Sequence, residues 1–343
     1  MRIFFCRGGD GRLISSESWE ELRCVEVDTV NILVKTSTEE RILRLFYYIC
    51  SMKRLIIILM CCFGASTLQA QEATLTTPDA KALGMGGLVM TAESASHAIY
   101  NNSAIAAFTR TPFLVSSSYF RQGDNDSYAV TGLCRFGNGN VLQGGWRQYL
   151  RDNDSNDTAV DLGYSRRINE RLGIGIVARY MHQKRPEITT NALAVDLSAA
   201  YKIPLEHLGV YSEVRTGAKL SNLGAYLSDT DYTLPMNASV GAALDSYITD
   251  EHEITIGVDM GYYFYPKPVR GFECSVGAEY NLMQLIQVRG GYHYGEKGSY
   301  FPSYSTVGVG LRILHIRLDF AYLFAEKGTA FRNTYSLSFG LDF

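Results

Sequence analysis

The chain has 343 residues, 32 Lys plus Arg against 35 Asp plus Glu, a net charge of −3 and 46% hydrophobic residues. This balance excludes a disordered chain and gives no reason to propose nucleic acid as a partner. The 23 Tyr and 16 Phe stand against only 2 Trp, a weighting that suits a water–lipid interface, where a Tyr ring lies in the apolar layer and its hydroxyl in water.

Residues 1–51 show no clear period and carry Cys6, Cys24 and Cys50. Residues 52–70 then open on Met52-Lys53-Arg54, continue as the apolar run Leu55-Ile56-Ile57-Ile58-Leu59-Met60, and end in small residues with a cut site after Ala70. That is a secretory signal peptide. Because export signals stand at the N-terminus, 1–51 reads as a mis-called extension, with translation starting at Met52. The apolar run is too short for a comfortable membrane span and no second stretch of spanning length follows, which excludes a helical membrane protein. Cys61 follows Met60, where a lipid-anchored cysteine would want a small residue. Only Cys134 and Cys274 remain, in separate strand patterns, so neither a disulfide framework nor a metal cluster is indicated.

Residues 71–111 lack alternation and are rich in Ala, Gly and Ser. From Phe113 onward the chain breaks into alternating segments of about ten residues, the length a tilted strand needs to cross a bilayer. Leu142, Trp146 and Leu150 give a sparse apolar face. Ile174, Ile176 and Tyr180 oppose Gly175 and Arg179; Leu193, Val195, Leu197 and Tyr201 oppose Asp196, Ser198 and Lys202. Ile254, Ile256, Val258, Met260 and Tyr262 oppose Thr255, Gly257, Asp259 and Gly261, and Phe272, Cys274, Val276, Ala278 and Tyr280 oppose Glu273, Ser275, Gly277, Glu279 and Asn281. A period of two sends these sets to opposite faces, lipid on one side and a wet interior on the other. The predicted fold class is all-β, a transmembrane antiparallel β-barrel of about 14 strands over 112–343.

Short links such as 137–140, 168–171 and 314–316 alternate with longer ones at 151–157, 183–190, 222–233, 266–271, 295–303 and 326–333. Barrels of this type keep short turns on the periplasmic side and longer loops outside, which sets both barrel ends in the periplasm. In the loop 295–305, Tyr300, Phe301 and Tyr304 surround a proline and read equally as a partner-contact patch or as part of the outer aromatic girdle. The final strand alternates without error, Tyr335, Leu337, Phe339, Leu341 and Phe343 against Thr334, Ser336, Ser338, Gly340 and Asp342.

The inward register carries both signs: Asp161, Arg179, Asp196, Glu213, Arg215, Lys219, Asp245, Asp259, Glu273, Glu279, Arg289, Arg312, Arg317 and Asp319. Such a set can line a water-filled channel, select ions, or pair into a network that holds a plug; the network is favoured, since barrels of this size tend to fill. Too few inward positions are large and apolar to argue for a hydrophobic path. No catalytic set, metal site or cofactor motif is indicated. His97, His182, His207, His252, His293 and His315 are scattered without metal-ligand spacing, and His293 reads as a solvated luminal side chain. The glycine cluster at 84–87 fails as a phosphate loop, because no Lys-Ser/Thr and no strand-to-helix pattern attends it. It reads either as a sharp turn against an inner wall or as a flexible lead-in.

The run from Thr77 to Phe108 resembles the N-terminal segment of FadL-like outer-membrane proteins, and more closely their PorV/PorQ branch, associated with type IX secretion in Bacteroidota. Ala82, Leu83, Gly84, Met85, Gly86 and Gly87 match the opening of that family's pattern, and Tyr100, Asn102, Ala104 and Ala107 match its later part; Asn101 replaces the usual Trp and Ser103 the usual Pro. The resemblance implies that 71–111 is a luminal segment inside a fourteen-stranded barrel, with Gly84, Gly86, Gly87, Tyr100 and Asn102 as its motif. The terminal strand also resembles the signal read by barrel-assembly machinery, with Tyr335, Phe339 and Phe343 as its aromatic positions. The role implied is a non-enzymatic component of type IX secretion or surface attachment, placed in the bacterial outer membrane after Sec export, with lipid, assembly machinery, secretion components and cargo as partners. The alternative is a FadL-like uptake channel for small hydrophobic molecules.

Overall fold

The structure, a computed structural model, describes residues 5–6, 22–27, 30–35, 77–91, 95–123, 125–151, 155–186, 188–205, 209–227, 233–267, 270–296, 302–326, 329 and 331–343. The predicted signal peptide, 52–70, lies outside them. The chain divides into two compact units, Met1–Thr67 and Leu68–Phe343. The first holds three strands, β1 (Phe5–Cys6), β2 (Leu22–Val27) and β3 (Val30–Lys35), in the antiparallel order β1-β3-β2, where the sequence offered no period.

The second unit is a closed antiparallel barrel of fourteen strands. These are β4 (Phe113–Gln122), β5 (Asn125–Phe136), β6 (Asn140–Arg151), β7 (Ser155–Arg167), β8 (Leu172–Lys184), β9 (Thr189–Leu205), β10 (Tyr211–Tyr226), β11 (Met236–Tyr247), β12 (His252–Tyr265), β13 (Gly271–Leu282), β14 (Ile286–Gly295), β15 (Tyr304–Ile313), β16 (Ile316–Ala325) and β17 (Thr334–Asp342). Each pairs with its sequence neighbour, and β17 closes on β4 with Phe339 opposite Ser117. Closure leaves no open edge, which is what a sheet in lipid requires, since hydrocarbon offers no partner for a free N–H or C=O. Among the described residues no helix is long and apolar enough to cross a membrane; the strands cross it.

Alternation puts the large apolar side chains outside. Val307, Val309, Leu318, Phe320, Leu337 and Phe339 are exposed in adjoining rows, while Thr306, Ser336 and Ser338 between them are buried. Leu142, Trp146 and Leu150 are outward as predicted, so the thin apolar face of β6 is real.

Two predicted links are shorter than expected. Strand β6 continues to Arg151 and β7 begins at Ser155, because the polar residues Arg151, Asn156 and Asp157 are still paired, Arg151 with Ser155, Leu150 with Asn156 and Tyr149 with Asp157. Asn222, placed at the start of a loop by sequence, sits inside β10 at a bulge, where its pairing with β9 skips between Leu220 and Leu223 and its φ is 58°. An Asn tolerates that left-handed conformation, so a residue that reads as a turn serves as a bulge.

The segment before the barrel lies in the lumen. It opens with α1 (Ala80–Gly84), capped by Asp79, whose carboxylate accepts from the Lys81 N–H at 3.0 Å. Two 3-10 turns follow, Ala95–His97 and Ser103–Phe108, the second capped by Asn102 through the Ala104 N–H at 3.1 Å. Helix α1 packs on β14 to β17, and the second 3-10 turn on β6 to β9, so the segment reaches across the barrel.

Candidate luminal site

The luminal segment is held by hydrogen bonds to inward side chains on many strands. The Ala80 N–H donates to Ser338 Oγ at 3.1 Å, and the Gly86 N–H to Thr306 Oγ1 at 2.9 Å, whose own hydroxyl donates to Gly84 O at 3.0 Å. The Met90 N–H donates to Asp259 Oδ2 at 2.7 Å, and Thr91 to Oδ1 at 3.0 Å. Asn102 Nδ2 bridges Met90 O at 3.2 Å and Ala199 O at 3.1 Å, and Ser165 Oγ donates to Ser103 O at 2.6 Å. Lys219 Nζ donates to Tyr100 O at 2.9 Å, and Lys81 pairs with Glu279 at 3.0 Å. Backbone groups with no partner in a helix or sheet are thereby satisfied by the wall.

The fit depends on glycines on both sides. Gly86 has φ 76° and Gly87 φ 84°, and a side chain on Gly86 would stand 2.7 Å from Tyr292 N and from Val276 O. The sharp-turn reading of this cluster therefore holds, and the flexible lead-in reading does not. Opposite it, Gly277 and Gly291 meet Met85 and Gly86, Gly217 meets Met90, and Gly257 would bring a side chain to 2.9 Å from Leu88. These wall glycines were not singled out from sequence, because each looks like any small inward residue until the segment it faces is in place.

Tyr100 and Asn102, the later motif residues, anchor the other half. Tyr100 OH donates to Trp146 O at 3.1 Å, and Arg147 lies 4.3 Å above its ring. Ser103 uses its hydroxyl, 2.8 Å from Ser198 Oγ. Asn101 donates to Asp79 Oδ2 at 2.8 Å and ties the segment to itself.

Most of the inward charges pair. Arg179 meets Asp161 at 2.5 Å and Asp196 at 3.0 Å, and donates to the bulged Asn222 at 2.7 Å. Lys219 meets Asp196 at 3.2 Å, Arg215 pairs with Asp245, and Arg289 with Glu279 and Asp319. At the turn end Arg312 and Arg317 share Asp342, and Lys202 meets Glu213 at 2.9 Å. Arg147 and Asp157 belong to the same inner layer and were missed, since β6 and the start of β7 gave weak alternation.

Among the predicted aromatic contacts, Tyr300 and Phe301 lie outside the described residues. Tyr304 is neither an exposed loop residue nor a girdle residue: it opens β15 on the inward register, buried, stacked on His293 at 4.7 Å and on Phe331 at 5.6 Å. Tyr304 and Phe331 join Phe120, Tyr263, Ala321 and Leu323 with Ala80 and Leu83 of α1 in one buried apolar cluster. This corrects the expectation of too few apolar inward positions; the cluster assembles from strand ends and α1, so no one segment displays it. His293 faces Ser275 Oγ at 2.9 Å, with no carboxylate in that contact. Tyr335, Phe339 and Phe343 lie outward on the last strand; Phe343 N donates to Phe113 O at 2.9 Å, closing the barrel at its seam.

Two luminal spaces flank this arrangement. One of about 810 Å³ lies toward the short turns, with Phe108, Arg167, Lys202, Glu213 and Asp319 in its wall. The other, about 120 Å³, lies between the luminal segment and the wall, and touches Leu83, Val89, Met90, Tyr263 and Tyr304 as well as Arg147, Asp259 and Glu273.

No protein-family model matches the chain, and no curated protein matches it. Solved structures do. The toluene transporter TodX of Pseudomonas putida is similar at 10% identity and a TM-score of 0.53, over 77% of this chain and 98% of the other. The toluene transporter TbuX of Ralstonia pickettii is similar at 10% identity and 0.51, over 77% and 97%. A FadL homologue of Pseudomonas aeruginosa is similar at 9% and 0.49, over 78% and 98%. The chain shares the fold of the two toluene transporters. Their likeness covers the barrel and its general plan; at this identity the luminal residues are this chain's own.

Proposed function

We propose that the chain is an outer-membrane barrel that admits small hydrophobic molecules past its luminal segment. The observation that carries this is the apolar cluster in which Leu83 of α1 packs against Phe120, Tyr263, Tyr304, Leu323 and Phe331, inside a barrel whose fold is that of toluene transporters. The cluster adjoins the 120 Å³ cavity through Leu83, Tyr263 and Tyr304, so an apolar solute passing it meets the luminal segment itself. The motif at Gly84 to Gly87 and at Tyr100 and Asn102 then sets how far that segment can shift.

The test is initial uptake of labelled toluene by intact cells whose outer leaflet is lipopolysaccharide, which by itself slows apolar solutes. Cells making the protein are expected to take up toluene several-fold faster than cells without it, and equal rates would overturn the reading.

The secretion-associated reading draws support from a different feature, the lumen held shut by a hydrogen-bonded segment and paired charges, which suits a barrel whose work is done on its outer surfaces. The fold similarities do not bear on it. Unchanged surface display of secreted cargo after deletion of the gene would remove it.

A further inference from the structure

One side chain on the lipid-facing rows departs from their pattern. Strand β7 sends Val160, Leu162, Tyr164 and Arg166 outward, alternating with the buried Asp161, Gly163 and Ser165. Arg166 is exposed, and among the described residues it is the one Lys, Arg, Asp or Glu on the outward register of the strand halves nearest the short turns. Its guanidinium makes no hydrogen bond or ion pair among the described residues. The charges beside it in sequence face elsewhere: Arg167 donates to Asn138 Oδ1 at 3.2 Å, and Arg167 and Glu170 line the luminal mouth. A cation on the outer face of a barrel is destabilising at the bilayer midplane and tolerated near the interface, where its stem lies in the apolar layer and its head among the phosphates.

The neighbours of Arg166 mark that level. Tyr164, one step deeper on the same row, packs against Phe136 with ring centroids 6.5 Å apart, and outward aromatic side chains gather where acyl chains meet headgroups. The Tyr164 hydroxyl donates to Asn140 Oδ1 at 2.7 Å, and Asn140 stands directly opposite Arg166 in the β6–β7 ladder. Asn140 therefore keeps its Nδ2 as a donor beside the guanidinium. On its other side Arg166 pairs with Ile174 of β8, and the exposed Leu142 and Ile176 continue the apolar surface away from the turns. A guanidinium fork and an amide donor at the head of an apolar strip match a phosphate with an acyl chain below it. We propose that Arg166 and Asn140 hold the phosphate of a phospholipid in the leaflet at the short turns, with one acyl chain along Leu142, Tyr164, Ile174 and Ile176. This site is on the outer face of the barrel and does not depend on what the lumen passes.

The test is native mass spectrometry of the purified full chain in a mild detergent, titrated with dioleoylphosphatidylglycerol, with dioleoylglycerol, which lacks the phosphate, and with inorganic phosphate. One phosphatidylglycerol is expected to bind about tenfold tighter than dioleoylglycerol, the worth of a charge-assisted hydrogen bond. Arg166→Gln should erase that preference and Asn140→Leu should weaken it. Arg121→Gln, on the outward register at the opposite rim, should leave it intact. Equal binding of the two lipids by the wild-type chain, an undiminished preference in Arg166→Gln, or an equal loss in Arg121→Gln would overturn the proposal. Binding of inorganic phosphate as tight as that of phosphatidylglycerol would overturn it too, by assigning the donors to a free anion. The wild-type comparison stands even if the variants do not fold.

Discussion

A methyl group has no room at Gly86: the backbone conformation is left-handed and the atoms it would meet are backbone atoms of two strands, which cannot step aside. Gly86→Ala should therefore cost roughly 1–3 kcal/mol of strain or release the segment from the wall. Protease sensitivity of residues 77–110 in the folded barrel, compared with wild type, is the measurement. His97 offers a second test at this scale. It lies in the luminal segment, buried between Ser118 at 3.3 Å and Asp79 at 3.7 Å. Burial pushes its imidazole below the ordinary value, while Asp79 and Asp319 pull the other way. The folded state then binds fewer protons than the unfolded chain, so stability is lost as pH falls below about 6.5, by at most about 1.4 kcal/mol per pH unit. Unfolding midpoints taken on either side of that pH should converge in His97→Gln. The turn at Gly86 was legible in the sequence because it depends on the residue's own backbone, whereas Asn102 was singled out by resemblance alone and its cap on the second 3-10 turn was not foreseen. The partners were not: Thr306 and Ala199 are distant in sequence, and only the closed barrel brings them near.

At the scale of the element, a period of two separates lipid face from lumen, and this survives even in β6, where three apolar residues suffice. It fails as a guide to strand ends, since polar residues such as Arg151, paired with Ser155, and Asn222, at a bulge inside β10, lie within strands as readily as they begin loops. The outward rows carry the membrane reading. Val309, 51% exposed between Val288 and Phe320, should not accept a charge. Val309→Arg is expected to destabilise the barrel in lipid by about 2–4 kcal/mol, against little change for the same substitution in detergent-free unfolded chain. Denaturant titration in liposomes measures it, and a neutral outcome would mean that this row does not face hydrocarbon.

Across the whole molecule, the count of alternating segments and their even number gave the closed barrel, because closure is a sum over strands that no weak member spoils. The mixed inward charges were legible as a paired network for the same reason. What remained hidden was everything made jointly by wall and luminal segment: the glycines that let them touch and the apolar cluster split between α1 and the strand ends. The most direct measurement is uptake of two small labelled solutes, toluene and glycerol, by lipopolysaccharide-bearing cells with and without the protein. Toluene uptake is expected to rise several-fold while glycerol uptake stays unchanged; a rise in glycerol, or no rise in toluene, would contradict a hydrophobic path through a filled lumen.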